Sequence, residues 1–207
     1  QRHILASATY RQSSSSKTQP EAMRADADTR LLWRFPPRRL DAETIRDSML
    51  SISGRLDPQR GGEGVNIFTR EGKFDQWRPL VDPPPGSNRR MIYLTRIRGV
   101  DDGMFKTFDL PECGQVKDKR TDSTTPLQAL NLLNGKFSLE QSAALAKRIE
   151  DEGRGNSSAQ VMRAFEWILG RPPEDAELAL CQATVRAEGL ETVCRALFNS
   201  NEFLFLP

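Results

Sequence analysis

Helical periodicity falls in two places along the chain, residues 42–53 and the stretch from 126 to 199. In the first, Ile45, Met49, Ile52 and Leu56 form one apolar stripe, which Gly54 interrupts. Asp41 precedes it as an N-cap, and Leu40 and Ile45 have the spacing of a hydrophobic staple. Leu50 lies angularly between Glu43 and Asp47, opposite the stripe, so a second covered face is expected. The later stretch predicts helices over 126–134, 139–151, 159–169, 174–188 and 190–199. Thr125-Pro126 with Gln128 opens the first, and Leu127, Leu130 and Leu133 are its expected inner face. Ser138 with Gln141 is the expected cap of the second, which carries Ala143, Ala146 and Ile149 and stops at Gly153. Asn156 caps the third, striped by Val161, Phe165, Ile168 and Leu169 and stopped by Gly170 and Pro172-Pro173. Leu178, Cys181 and Val185 face inward on the fourth, which Gly189 ends. Leu190, Val193, Cys194, Leu197 and Phe198 line the fifth, and Phe203, Leu204 and Phe205 bring the chain back as an apolar tail.

The remainder is irregular. Ile4, Leu5 and Ala8 suit the end of a helix begun upstream, broken at Ser13 to Ser16. Leu31, Leu32, Trp33 and Phe35 form an apolar knot, a short helix at most, that Pro36-Pro37 terminates. Residues 57–88 hold Gly61-Gly62, Gly64 and Pro83-Pro84-Pro85, with Phe68, Phe74 and Trp77 as anchors. Met91 to Leu94 reads either as a short buried strand or as a helical turn. The fold class is mainly α: a bundle of short antiparallel helices with a long Pro/Gly-rich insertion and room for one short strand pair. The expected organisation is one domain that is incomplete at its N-terminus. Its parts are helical (1–56), irregular (57–123) and compactly helical (124–207).

Composition narrows the function. With 30 Lys+Arg against 28 Asp+Glu the net charge is +2, which gives no case for a nucleic-acid partner. Among 207 residues there is one histidine, His3, and three scattered cysteines, Cys113, Cys181 and Cys194, so neither metal nor haem is expected in this chain. Phosphate-binding glycine loops and common hydrolase motifs are missing from the sequence, and no apolar run suits a membrane span. Cys181 and Cys194 fall on apolar stripes and read as buried thiols, or as a pair oxidised across the turn at Gly189 if the protein is exported.

The richest polar set is Arg38, Arg39, Glu43, Arg46 and Asp47, with Arg89, Arg90 and Asp109 as partners. Guanidinium forks and carboxylates pair well, so such a set either holds a helix to an irregular segment or binds an anionic or sugar ligand. Glu43 and Asp47, one helical turn apart, read as an acid/base pair or as a face neutralised by arginine. The covered second face predicts one network of Arg39, Glu43, Asp47, Arg90 and Asp109, with Glu43 and Arg90 as strongly coupled members.

Eight strings in order resemble a planctomycete family described as domain of unknown function 1553. They are HILASATYRQS from His3, RLLWR from Arg30, the run from Arg38 to Asp47, Arg89-Arg90-x-x-Tyr93-Leu94, Phe108-Asp109-x-Pro111, the run from Thr124 to Asn134, Leu169 to Pro173, and Asn199 to Leu204. The chain departs from that pattern at Asp26-Ala27-Asp28-Thr29, where similar proteins carry Asp-Pro-x-Asn, and between Thr95 and Met104. The resemblance implies context: export to the periplasm or cell surface, and neighbouring c-type cytochrome domains that would carry haem. The expected role is a non-catalytic scaffold or docking module whose partners are the other domains of its parent. The alternative is a hydrolase-like or redox domain acting on extracellular polysaccharide.

Overall fold

The computed structural model describes residues 1–12, 14, 19–71, 76–100, 103–111, 116, 118–152 and 155–206. The breaking serines Ser13, Ser15 and Ser16, the anchor Phe74, Cys113 and the stop at Gly153 lie outside the described residues. The chain runs α1 (Arg2–Leu5), α2 (Pro20–Ala25), β1 (Arg38–Arg39), α3 (Ala42–Ile52), β2 (Phe68–Glu71), β3 (Gln76–Pro79) and α4 (Gly103–Thr107). It continues through α5 (Pro126–Asn134), α6 (Lys136–Asp151), α7 (Ser157–Leu169), α8 (Asp175–Glu188), α9 (Leu190–Phe198), α10 (Asn201–Leu204) and β4 (Phe205–Leu206). The fold is mainly α, as the periodicity predicts. It divides into two compact units, Gln1–Leu40 with Leu204–Pro207, and Asp41–Phe203.

In the smaller unit β1 pairs antiparallel with β4, Arg38 opposite Leu206 and Arg39 opposite Phe205. The stretch preceding the apolar knot is a turn built on Asp26. Its carboxylate accepts from the N–H groups of Arg30 (3.0 Å) and Leu31 (2.7 Å), while its carbonyl accepts from Trp33 Nε1 at 2.7 Å. Thr29 sits at φ 57°, left-handed backbone that is uncommon for a β-branched residue. The knot is not helical, and Leu31, Leu32 and Phe35 are exposed.

In the larger unit α6 and α9 pack together at the centre, with α7 and α8 against α9. Leu145 and Ile149 of α6, Val161 and Phe165 of α7, and Val193, Cys194 and Phe198 of α9 form this core. α3 begins where its cap predicts, Asp41 Oδ1 accepting from Thr44 N–H at 2.8 Å. Ile45, Met49 and Leu50 are all fully buried, so both of its apolar faces are covered. Here β2 pairs antiparallel with β3, Phe68 opposite Pro79 and Glu71 opposite Gln76, so with β1–β4 the described residues hold two short strand pairs where the sequence left room for one. Met91–Tyr93 takes the helical-turn alternative, one 3₁₀ turn that buries Met91 and leaves Ile92 outside.

Three local expectations are corrected. α5 turns Gln128 and Leu132 inward and leaves Leu127 and Leu130 60% and 55% exposed. The inward amide is satisfied there, since Gln128 Nε2 donates to Thr107 O at 3.0 Å and its Oε1 accepts from Thr125 N–H at 3.2 Å. α6 starts at Lys136 with Gly135 as its cap, so Ser138 and Gln141 are buried helical residues rather than a capping pair. A Cβ on Gly135 would lie 2.5 Å from Asn131 O, which is why α5 can pass into α6 without a linker. α8 buries no residue fully, and Leu178, Cys181 and Val185 are only partly covered. Cys181 and Cys194 are free thiols; burial pushes Cys194 far above the ordinary thiol range and raises Cys181 less.

The loop between α7 and α8 is stapled by Arg171. Its guanidinium grips Glu177 (2.7 and 2.8 Å) and Glu202 (2.6 and 2.8 Å), while Glu177 also accepts from Glu174 N–H at 2.8 Å. These bonds, Arg171's first, lower the Glu177 carboxyl to about 2. A carboxyl depressed in the folded state stabilises above its unfolded pKa and loses that contribution as pH falls through the folded one. The melting temperature of the chain should therefore exceed that of Glu177→Gln near pH 6, and the gap should close between about pH 5 and pH 2. A constant gap across that window, in paired thermal melts, would mean that Glu177 stabilises through shape and not charge.

Candidate functional site

Asp47 and Arg46, adjacent on α3, both reach the segment from Ser87 to Met91. Asp47 Oδ1 accepts from Met91 N–H at 3.0 Å and from Arg46 Nη1 at 3.2 Å. Arg46, 5% exposed, also donates from Nη1 to Arg89 O (3.0 Å) and from Nη2 to Ser87 O. Its guanidinium lies 5.7 Å from the centre of the Phe137 ring. A buried cation is thus held by the Asp47 carboxylate and by carbonyls of the irregular segment.

Arg89, also 5% exposed, continues the pattern into the preceding loop. It donates to Glu63 O (3.1 Å), Gln59 O (3.2 Å) and Gly61 O, and stacks 3.8 Å from the Tyr93 ring centre. Tyr93 Oη accepts from Gly61 N–H at 2.9 Å, so residues 59–63 wrap around one side-chain pair. Arg90 points outward: its side chain is 68% exposed and Nε is 3.5 Å from Asp47 Oδ2.

The other candidates go elsewhere. Glu43 is gripped at both carboxylate oxygens by Arg120 (2.7 and 2.8 Å), which also lies 3.5 Å from Asp41. The hydrogen bonds that Arg120 donates to Glu43 and the charges of both acids raise the Arg120 pKa. Asp109, at φ 57°, accepts from Ser123 N–H (2.9 Å) and Ser123 Oγ (2.8 Å), with Gln128 Nε2 at 3.5 Å. Arg38 and Arg39 stand on β1 of the smaller unit, Arg38 exposed and Arg39 buried. The structure therefore brings Arg46, Asp47, Arg89 and Arg90 together and distributes Glu43 and Asp109 to separate sets. Sequence reasoning missed Arg120 and Ser123, which lie in a polar loop without periodicity. Only the positive charge of Arg120 amid acids hinted at its role.

An open groove of about 300 Å³ runs along α3, lined by Glu43, Thr44, Asp47, Ser48, Ser51 and Arg90. Both carboxylates in it are already held by arginine, so it offers hydroxyls and one outward guanidinium to a visitor. Among the described residues no group of His, Cys, Asp and Glu is placed to hold a metal, and no helix is long and apolar enough to cross a membrane.

No curated protein and no solved structure matches this chain. The family model of PSD1, protein of unknown function (DUF1553), matches residues 1–185, nearly the whole chain. The matched stretch contains the α3 acids and arginines, the Arg89–Tyr93 segment and the Asp109–Gln128 set. The chain belongs to the DUF1553 family.

Proposed function

We propose that this chain is a non-catalytic module that scaffolds or docks neighbouring domains, c-type cytochrome domains among them, in a multidomain protein exported to the periplasm or cell surface. One observation carries the reading: the candidate acids are held by protein donors, Asp47 by Arg46 and Met91 N–H, Glu43 by Arg120, and Asp109 by Ser123. A catalytic carboxyl needs access to a substrate proton or reacting carbon, and these are turned toward holding segments together. The family resemblance supports the compartment and the haem-bearing neighbours. Haem in such a protein belongs to the neighbour, because this chain has one histidine and no Cys-x-x-Cys-His. Polysaccharide hydrolysis is the second reading, and it rests on the groove beside Glu43 and Asp47.

Three measurements separate the readings. The chain should bind a separately produced cytochrome domain of its parent in calorimetry, and it should release no reducing ends from soluble polysaccharides. Asp47→Asn should lower its melting temperature. Sugar release that Glu43→Gln or Asp47→Asn abolishes without a change in melting temperature would overturn the scaffold, as would absence of binding to every neighbouring domain.

A further inference from the structure

We propose that the smaller unit docks on an anionic lipid surface through the loop at Leu31 and Leu32. The unit has almost no core of its own: among its described residues only Arg39 and Leu204 are buried. Leu31, Leu32 and Phe35 are 80%, 64% and 57% exposed, and Ile4 and Leu5 are exposed as well. Single exposed leucines are ordinary, but apolar side chains crowded on a unit without a core call for a surface that covers them.

Charge identifies that surface. The smaller unit, residues 1–40 and 204–207, holds eight Lys+Arg against three Asp+Glu, a net charge of +5. The rest of the chain has 22 against 25, a net −3, so the near-neutral total conceals a segregation of charge. Of the three acids, Asp26 is occupied at both carboxylate oxygens by the N–H groups of Arg30 and Leu31. Those two bonds also hold the turn that leads into the exposed Leu31 and Leu32. Arg24 and Arg30 are exposed, and so is Arg38, which stands opposite the exposed Leu206 on the strand pair. A nucleic acid would meet the charge but not the leucines, and a neutral apolar partner would do the reverse. A bilayer with anionic headgroups above hydrocarbon meets both, because guanidinium forks take phosphate oxygens while apolar side chains enter the acyl boundary. An acidic protein face would also need a depression shaped to these protruding side chains, whereas a fluid bilayer conforms to them. Such docking is peripheral, so it needs no spanning helix and does not depend on the scaffold role.

The test is co-sedimentation of the 207-residue chain with vesicles of phosphatidylcholine, alone or mixed in equal parts with phosphatidylglycerol. Binding to the mixed vesicles should be about tenfold or more tighter than to phosphatidylcholine alone, and it should weaken as salt rises. Leu31→Ser combined with Leu32→Ser, at two exposed positions, should lower the affinity about tenfold or more with an unchanged melting temperature. Arg24→Gln combined with Arg30→Gln should lower it by a similar factor and shrink the preference for the anionic lipid. Equal binding to both vesicles would overturn the proposal, as would an affinity that the leucine changes leave intact. Binding to duplex DNA as tight as to the mixed vesicles would overturn it too, by reducing the arginines to general attraction for polyanions. So would absence of vesicle binding, and calorimetric binding of a neighbouring domain that the leucine changes abolish would then assign the loop to a protein face.

Discussion

Arg46→Ala is expected to lower the unfolding free energy by about 3–5 kcal/mol, the range for removing one partner of a buried ion pair. The side chain is 6% exposed and its carboxylate partner Asp47 17%, so water cannot take over either role cheaply. Truncation also strips donors from Ser87 O and Arg89 O and opens space beside the Phe137 ring. Arg46→Lys should recover part of the loss, because an ammonium restores the charge but cannot fork to both carbonyls. Arg90→Ala should cost only about 0–1 kcal/mol, since its side chain is 68% exposed and its contact with Asp47 is 3.5 Å long. Urea denaturation of the three variants decides between them. A loss below about 1 kcal/mol for Arg46→Ala would mean that the segment from Ser87 to Met91 docks through its apolar residues alone.

That ordering of the two arginines inverts what the sequence suggests, and the reason is instructive. The covered second face of α3 was legible, because Leu50 between two acids implies something packed over it. Which cation would lie inside was not, since Arg46, Arg89 and Arg90 are chemically alike and only the path of the irregular segment selects among them. The same division runs through the molecule. Most signals read within one turn agree with the structure: Asp41 and Asn156 cap with bonds of 2.8 and 2.7 Å, and Gly170 takes the left-handed stop at φ 71°. Signals that depend on distant chain fail where a long-range partner intervenes. Gln128 turns inward because Thr107 O is there to accept from it, and Glu43 is held by Arg120, 77 residues on. One signal read within a single turn fails as well: Ser138 and Gln141 looked like a capping pair, but α6 starts at Lys136 and buries both.

Phe198→Ala and Leu130→Ala put that division on a free-energy scale, because sequence periodicity ranks the two residues together as inward-facing. Phe198 is fully buried on α9 and meets Phe203 edge-on, with ring centres 5.2 Å apart at 68°. Its removal should cost about 3–5 kcal/mol from lost transfer free energy and the cavity left behind, and the aromatic pair contributes about 0.5–1.5 kcal/mol beyond area alone. α9 packs against α6, α7 and α8, so the surroundings are constrained from several sides and cannot collapse into the space. Leu130 is 55% exposed on α5, and its truncation should change stability by less than about 0.5 kcal/mol, since Ala is also the better helix former there. Chemical denaturation with an unchanged slope for both variants would make the comparison one of stability alone. If Leu130→Ala instead destabilised the isolated chain by more than about 2 kcal/mol, the helix would have to be rotated with its leucine stripe inward, and the Gln128–Thr107 bond that sets its present orientation could not form.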